Sequence, residues 1–189
     1  MVKKIYKTEK EKMLSGENYY PEDEELLSDR KRAKDLCFQY NSLPNSEKQK
    51  RKDILKRLLG KFESILSIES NFFCDYGYNI SAGKEFYINH NCVILDCAQV
   101  TFGDRVFIGP NCGFYTALHP IDAKERAKGL ESAKPITIGN DVWIGGNVTV
   151  LAGVTIGDNV VIGAGSVVTK DIPSNNVAYG NPCKIAKRV

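Results

Sequence analysis

No stretch of this chain reaches the roughly 18 consecutive apolar residues that a membrane-spanning helix needs. Its opening, MVKKIYKTEKEKM, is charged and lacks the apolar run of about 7–15 residues that marks a secretion signal, so a cytoplasmic location is expected, with no membrane partner. None of the six cysteines stands in a CxxC pair and their density is too low for a disulfide scaffold, which points to reduced thiols. There are only two histidines, His90 and His119. That excludes a three-histidine zinc site, and no Cys/His spacing fits a tetrahedral cluster, so no metal is expected. An excess of one charge is also missing: 26 Lys and Arg stand against 23 Asp and Glu, a net +3 that does not call for nucleic acid.

What is abundant is periodicity. From Ile138 to Ile172 the chain reads IGNDVW, IGGNVT, VLAGVT, IGDNVV, IGAGSV and VTKDI, with a branched aliphatic at 138, 144, 150, 156, 162 and 168. The fifth positions, Val142, Val148, Val154, Val160 and Ser166, are small or β-branched. Each hexad reads as a short strand and a sharp corner with its aliphatic turned inward, a unit that must stack on its neighbours to bury that face. Glycine follows the aliphatic at 139, 145, 157 and 163, and a corner with positive φ would explain it.

Counting back from Ile138 sets the register. Positions 82, 88 and 94 form one set of three, 102, 108 and 114 a second, 138, 144 and 150 a third, and 156, 162 and 168 a fourth, giving four complete coils. Residues 62–173 are assigned to the solenoid, with residues 62–81 as an aromatic-rich transition and residues 120–137 as an excursion from one corner. Cys92 and Cys112 fall at fifth positions as small apolar filler. Residues 174–189 form a basic tail. Residues 1–61 differ in composition, being rich in Lys, Glu and Leu and poor in Gly. Thr8 with Glu11 has capping-box form, as does Ser46 with Gln49. Leu26, Ala33, Leu36, Cys37 and Tyr40 recur at helical spacing, and Ile54, Leu55, Leu58 and Leu59 make a second stripe. These helices should pack on the solenoid, with the Lys and Arg runs at 30–34 and 48–52 facing solvent.

His119, in TALHP, closes the second coil and anchors the excursion. A histidine fixed where a repeat opens into a loop can act as a general base, because it titrates near neutrality. Excursions from repeat arrays commonly carry binding function.

The hexads together with EKMLSGE near the start, CDYGYNI at 74–80, FYINHNCVILD at 86–96 and TALHPID at 116–122 resemble the maltose and galactoside (sugar) O-acetyltransferase family of hexapeptide-repeat acyltransferases. The resemblance spans nearly the whole chain. It implies a mainly β fold, a left-handed parallel β-helix with three hexads per coil, preceded by a helical segment. That hand rests on the resemblance alone, since parallel crossovers are ordinarily right-handed. It implies acetyl-CoA as co-substrate, a sugar acceptor, and a homotrimer with active sites between subunits. It casts His119 as the base that deprotonates the sugar hydroxyl, the Gly146 N–H as donor to the thioester oxygen, and Asn89 as the residue that binds the hydroxyl. Tyr87, Asp75 and Asp96 become further acceptor contacts. Trp143, Gly146, Ala164, Thr169, Lys170, Lys184 and Lys187 become contacts to coenzyme A. Galactoside enzymes carry an aspartate where this chain has Cys97, a departure that favours a maltose or glucose type of acceptor. Transfer to a xenobiotic or an amino acid and a non-catalytic scaffold are the alternatives. The γ-type carbonic anhydrases share the solenoid but need three histidines.

Overall fold

A computed structural model of the chain describes residues 6–189; the first five residues, part of the charged opening, lie outside the described residues. Three helices come first: α1 (Glu9–Leu14), α2 (Glu24–Ser42) and α3 (Lys48–Leu58). The Thr8 hydroxyl accepts from the Glu11 N–H while the Glu11 carboxylate accepts from the Thr8 N–H, so the first capping box is formed. The second is not: Glu47 is the N-cap of α3 without a side-chain bond, and Gln49 turns to Asp53 instead. Leu26, Ala33, Leu36, Cys37 and Tyr40 are all buried, as are Ile54, Leu55, Leu58 and Leu59. The charged run at 48–52 does not face solvent throughout. Arg51 is buried, donates to the carbonyls of Tyr40, Leu43 and Ile68, and lies 4.0 Å over the Tyr40 ring.

The rest is a parallel β-helix of three faces. The first face carries Ile65–Ile68, Phe86–Ile88, Phe107–Ile108, Trp143–Ile144, Val161–Ile162 and Asn176–Tyr179, with Lys184–Arg188 added antiparallel at its end. The second carries Phe73–Cys74, Val93–Leu95, Gly113–Tyr115, Thr149–Leu151 and Val167–Val168. The third carries Ile80–Ala82, Val100–Phe102, Ile136–Ile138 and Thr155–Ile156. Ala82, Phe102, Ile138 and Ile156 stack on the third face, Ile88, Ile108, Ile144 and Ile162 on the first, and Ile94, Phe114, Val150 and Val168 on the second, in the register that the hexads predict. Two further coils extend the column. Phe62, Ile68 and Cys74 pair with Ala82, Ile88 and Ile94 before it, and Ile172 and Ala178 pair with Ile156 and Ile162 after it. The inward side chains are buried to 8% exposure or less, apart from the partly buried Phe62. Each Val, Leu or Ile among them contributes about 1.5–3 kcal/mol relative to exposure.

The stacked inward positions are six residues apart across two of the three edges in every coil. Across the edge between the second and third faces the step is eight from Cys74 and from Ile94, 24 from Phe114, six from Val150 and four from Val168. All variation in coil length is confined to that edge. The longest step contains the excursion, in which Ala117–Leu118 pairs antiparallel with Ser132–Ala133 around α4 (Ala123–Arg126).

Glycine at 139, 145, 157 and 163 is not explained by positive φ. The left-handed residues lie two positions later, at Asp141, Asn147, Asn159 and Gly165. At these four second positions glycine is needed because the coils are too close there. A Cβ on Gly145 would stand 2.7 Å from the Ala164 nitrogen, and one on Gly139 the same distance from the Gly157 carbonyl carbon. Asparagine suits the left-handed position because its short polar side chain can bond locally. Here it bonds upward: Asn71 to Asn91 at 2.9 Å, Asn91 to Asn111 at 3.0 Å.

Candidate active site

His119 leaves the solenoid at the variable edge with its side chain 56% exposed, and its Nε2 lies 3.7 Å from Glu131 Oε1. Glu131 is held from the other side. The Tyr19 hydroxyl donates to Glu131 Oε2 at 2.8 Å, and the two backbones exchange N–H···O bonds of 2.9 and 3.0 Å. Tyr19 is fully buried and packs with Met13, Leu26, Tyr76, Cys97, Ala98 and Ala133 in a small second core. Burial first, then the neighbouring Cys97 and Glu131, hold its phenol far above its usual range, so it stays a donor. Glu131 is the residue that sequence reasoning missed. Its one visible signal is that it is acidic and sits in the excursion that His119 opens.

Asp75 lies nearby. Cys97 Sγ is 3.6 Å from Asp75 Oδ2, and burial pushes the Asp75 carboxyl up while Cys97 and Arg30 counter it. Burial also pushes the Cys97 thiol up to about 12, so it is a neutral neighbour at ordinary pH. Asp96 sits deeper, fully buried. Its Oδ1 accepts from the N–H groups of Asp75 at 3.1 Å and Tyr76 at 2.8 Å, and its Oδ2 from Asn79 at 3.3 Å. Burial raises its carboxyl to about 7 against those donors. Asp96 thus faces the 75–79 backbone rather than open space; what it positions is Asp75.

A second group lies on the edge between the first and second faces. Asn89, Gly146 and Ala164 lie along it, Gly146 and Ala164 on adjacent coils and Asn89 two coils before Gly146. Asn89 is not a left-handed corner residue, since that role falls to Asn91, and its Oδ1 accepts from the His90 N–H at 2.7 Å. Gly145 N–H donates to the Ile162 carbonyl and Asn147 N–H to the Pro110 carbonyl, but the Gly146 N–H between them has no partner among the described residues. An unused backbone donor at a half-open glycine corner is suited to a developing oxyanion.

The remaining candidates are spread along the column. Tyr87 and Trp143 belong to the first face, with Trp143 59% exposed. Thr169 and Lys170 sit exposed on the variable edge, and Lys184 and Lys187 on the final strand. Among the described residues none of these three lysines is ion-paired, so each is free to meet phosphate as a point charge. A single chain therefore does not bring everything together. His119, Glu131 and Asp75 lie on the edge between the second and third faces, and Asn89 and Gly146 on the edge between the first and second, with the second face between the two groups. A cavity of about 520 Å³ lies under α3 against Ile65–Ile68 and contains none of the candidate residues.

A hexad solenoid closed by a helical cap, with a histidine at its one broken edge and an unused donor at a glycine corner, defines a hexapeptide-repeat transferase. Residues 12–63 match the maltose acetyltransferase hexapeptide capping motif, and residues 135–170 match the bacterial transferase hexapeptide of six repeats. The chain is 52% identical to a maltose O-acetyltransferase from Clostridium difficile 630, with a TM-score of 0.95 over 97% of this chain and 98% of that one. A galactoside acetyltransferase in complex with coenzyme A is 40% identical, with a TM-score of 0.92 over 97% and 92%. A hexapeptide-repeat acetyltransferase from Vibrio cholerae complexed with acetyl coenzyme A is 37% identical, with a TM-score of 0.89 over 96% and 98%. This chain belongs to the hexapeptide-repeat acetyltransferase family that carries the maltose acetyltransferase cap. It is an acetyl-CoA-dependent acyltransferase.

Proposed function

We propose that the acceptor is a sugar hydroxyl of the maltose or glucose type and that His119 is the general base. The observation that carries this reading is His119 itself, exposed and backed at 3.7 Å by a carboxylate whose other oxygen is fixed by a buried tyrosine. A carboxylate behind an imidazole orients the ring and stabilises the cation formed when the ring takes a proton. Acetyl-CoA supplies the activated thioester. His119 takes the hydroxyl proton as the sugar oxygen attacks the thioester carbonyl, and the Gly146 N–H meets the charge that grows on the carbonyl oxygen. Collapse of that intermediate breaks the C–S bond, the proton held by His119 passes to the departing sulfur of coenzyme A, and no covalent enzyme intermediate is needed. Asn89 and Asp75 bind acceptor hydroxyls and Tyr87 lines the pocket, while Asp96 holds the 75–79 turn. Trp143, Ala164, Thr169 and Lys170 flank the pantetheine arm, and Lys184 and Lys187 meet the nucleotide phosphates.

A homotrimer completes the site. Two of the three outer faces suit burial against a second copy: Tyr87, Phe107, Trp143, Val161 and Val177 run down the first, and Phe73, Val93, Leu95, Tyr115, Leu151 and Val167 cover the second. The third presents Ser81, Thr101, Thr137 and Thr155, a ladder suited to water. Packing copies through the two apolar faces sets the His119 group of one chain beside the Gly146 edge of another, which closed symmetry permits. The reading is tested by release of the coenzyme A thiol with maltose, glucose, galactosides, amines and amino acids offered in turn. Turnover with amines or amino acids alone would overturn the sugar assignment.

A further inference from the structure

All six cysteines are buried, and they differ in what their sulfurs touch; Cys183 meets the Ser166 hydroxyl. Cys92 and Cys112 stand beside each other on neighbouring coils, and each sulfur also meets a carbonyl oxygen of the next coil, Cys92 Sγ 3.4 Å from Gly109 and Cys112 Sγ 3.1 Å from Gly145. Cys97 faces the Asp75 carboxylate. Cys37 and Cys74 make the direct sulfur–sulfur contact between the cap and the solenoid. Their sulfurs are 3.8 Å apart, with the residues 1% and 6% exposed, and they join two separate parts of the fold: Cys37 lies on α2 and Cys74 in the first coil.

The pair is held in register from both sides. One turn beyond Cys37, the Asn41 amide donates to the Phe72 carbonyl at 2.9 Å and accepts from the Phe72 N–H at 3.1 Å. The Tyr40 hydroxyl also donates to the Ile68 carbonyl. The helix cannot slide along the coil without breaking these bonds. A disulfide needs about 2.05 Å between sulfurs, so closure requires about 1.8 Å of approach, a movement on the scale of side-chain rotation. The two thiols are also unlike. The Cys74 S–H beside Cys37 holds the Cys37 thiol below its usual range, while the hydrogen bond to Cys37 and burial hold Cys74 well above it.

We propose that Cys37 and Cys74 form a redox-closable dithiol, which a peroxide converts to a disulfide fastening the helical cap to the solenoid. The Cys37 thiolate attacks one peroxide oxygen, the O–O bond breaks, and the departing hydroxide leaves as water with one proton, giving a sulfenic acid on Cys37. The Cys74 sulfur then displaces the hydroxyl from Cys37, its proton leaving with that oxygen as a second water. Two thiols are oxidised by two electrons and one peroxide is reduced to two waters.

The test uses the full-length protein, purified reduced and treated with hydrogen peroxide. It is then alkylated in denaturant, digested without reductant and mapped by mass spectrometry. A peptide containing Cys37 should appear joined to one containing Cys74, two hydrogens lighter than the separate pair and released by dithiothreitol. The oxidised protein should melt higher, by on the order of 5 °C, because the bond closes a loop through the first coil. The rise should vanish in a Cys37→Ala variant. Should that variant fail to fold, the wild-type peptide map still decides. Both residues recovered as free alkylated thiols, or either joined to Cys92, Cys97, Cys112 or Cys183, overturns the proposal.

Discussion

Tyr19 and Glu131, 112 residues apart in sequence, hold each other by three hydrogen bonds, one through the Tyr19 hydroxyl and two through the backbone. Tyr19 belongs to the segment between α1 and α2, and Glu131 to the far side of the excursion. The contact pins the loop to the cap, leaving one carboxylate oxygen of Glu131 facing His119. The cap, which covers the open end of a solenoid, therefore also reaches the proposed base.

Replacing His119 by Ala should lower kcat by about 10²–10⁴-fold, the range for losing a general base, while the affinity for coenzyme A stays unchanged. Steady-state thiol release and calorimetry separate the two. Unaltered kcat in this variant would remove His119 from the reaction.

The Tyr19, Glu131 and His119 relay should show a graded response. Glu131→Gln is expected to lower kcat by on the order of 10-fold, Tyr19→Phe by less, and neither should move the KM for acetyl-CoA. The quantity to measure is kcat at saturating substrates. Equal losses in kcat and in melting temperature for Tyr19→Phe would instead mark a purely structural tie.

Neighbouring glycines should differ sharply. Gly145→Ala places a Cβ 2.7 Å from the Ala164 nitrogen and should destabilise by about 1–3 kcal/mol or more. Gly146→Ala meets nothing closer than Pro110, its ring at 3.3 Å and its carbonyl oxygen at 3.4 Å, so its melting temperature should fall much less. Denaturant melts of both variants check this, and equal destabilisation would contradict the close stacking at the second hexad position.

Asp96 should give the fold a pH dependence. Burial raises its carboxyl in the folded protein from 3.8 to about 7, so folding takes up a proton between those values. Its contribution to stability therefore falls as pH rises from about 4 to about 7 and is level on either side. Asp96→Asn should flatten that decline, read as melting temperature against pH. Parallel curves for the two proteins would show that Asp96 is ionised throughout.

Assembly should depend on the apolar faces alone. Phe107→Glu, on the first face, should dissociate the proposed trimer and abolish turnover, whereas Thr137→Glu, on the third, should leave both unchanged. Light scattering and thiol release on the same samples report the two effects. A parent protein that is monomeric and active would contradict a shared site.

The column of coils was legible because Ile138, Ile144 and Val150 are aliphatic and evenly spaced, and because each coil repeats the demands of the last. The first coil escaped notice because Phe62, Ile68 and Cys74, though six apart, sit among Phe72, Phe73, Tyr76 and Tyr78, so bulk hides the period. His119 stood out as one of only two histidines. Glu131 did not, because its role depends on a partner 112 residues away and on a hairpin within the excursion. The resemblance turns the Asp96 carboxylate toward an acceptor, whereas the longer corner at 75–79 leaves backbone N–H groups inside that only a buried hydrogen-bond acceptor can satisfy. The glycines at 139, 145, 157 and 163 suggest a constraint on their own dihedrals, but the constraint comes from the neighbouring coil. Ser46 and Gln49 formed no cap because the helix begins after Glu47.

Confining every change of coil length to one edge separates what the protein must keep from what it can vary. Two edges, locked at six residues by close backbone contact, work as a ruler that fixes where Trp143, Gly146 and Ala164 stand. The third works as a margin in which residues can be added or removed without moving the ruler. With the proposed assignment of donor and acceptor residues, a relative could lengthen or shorten that margin and acquire a new acceptor while keeping its grip on the donor. Grafting acceptor specificity between such enzymes should therefore succeed best by exchanging the segments 75–81, 95–101 and 115–135 together.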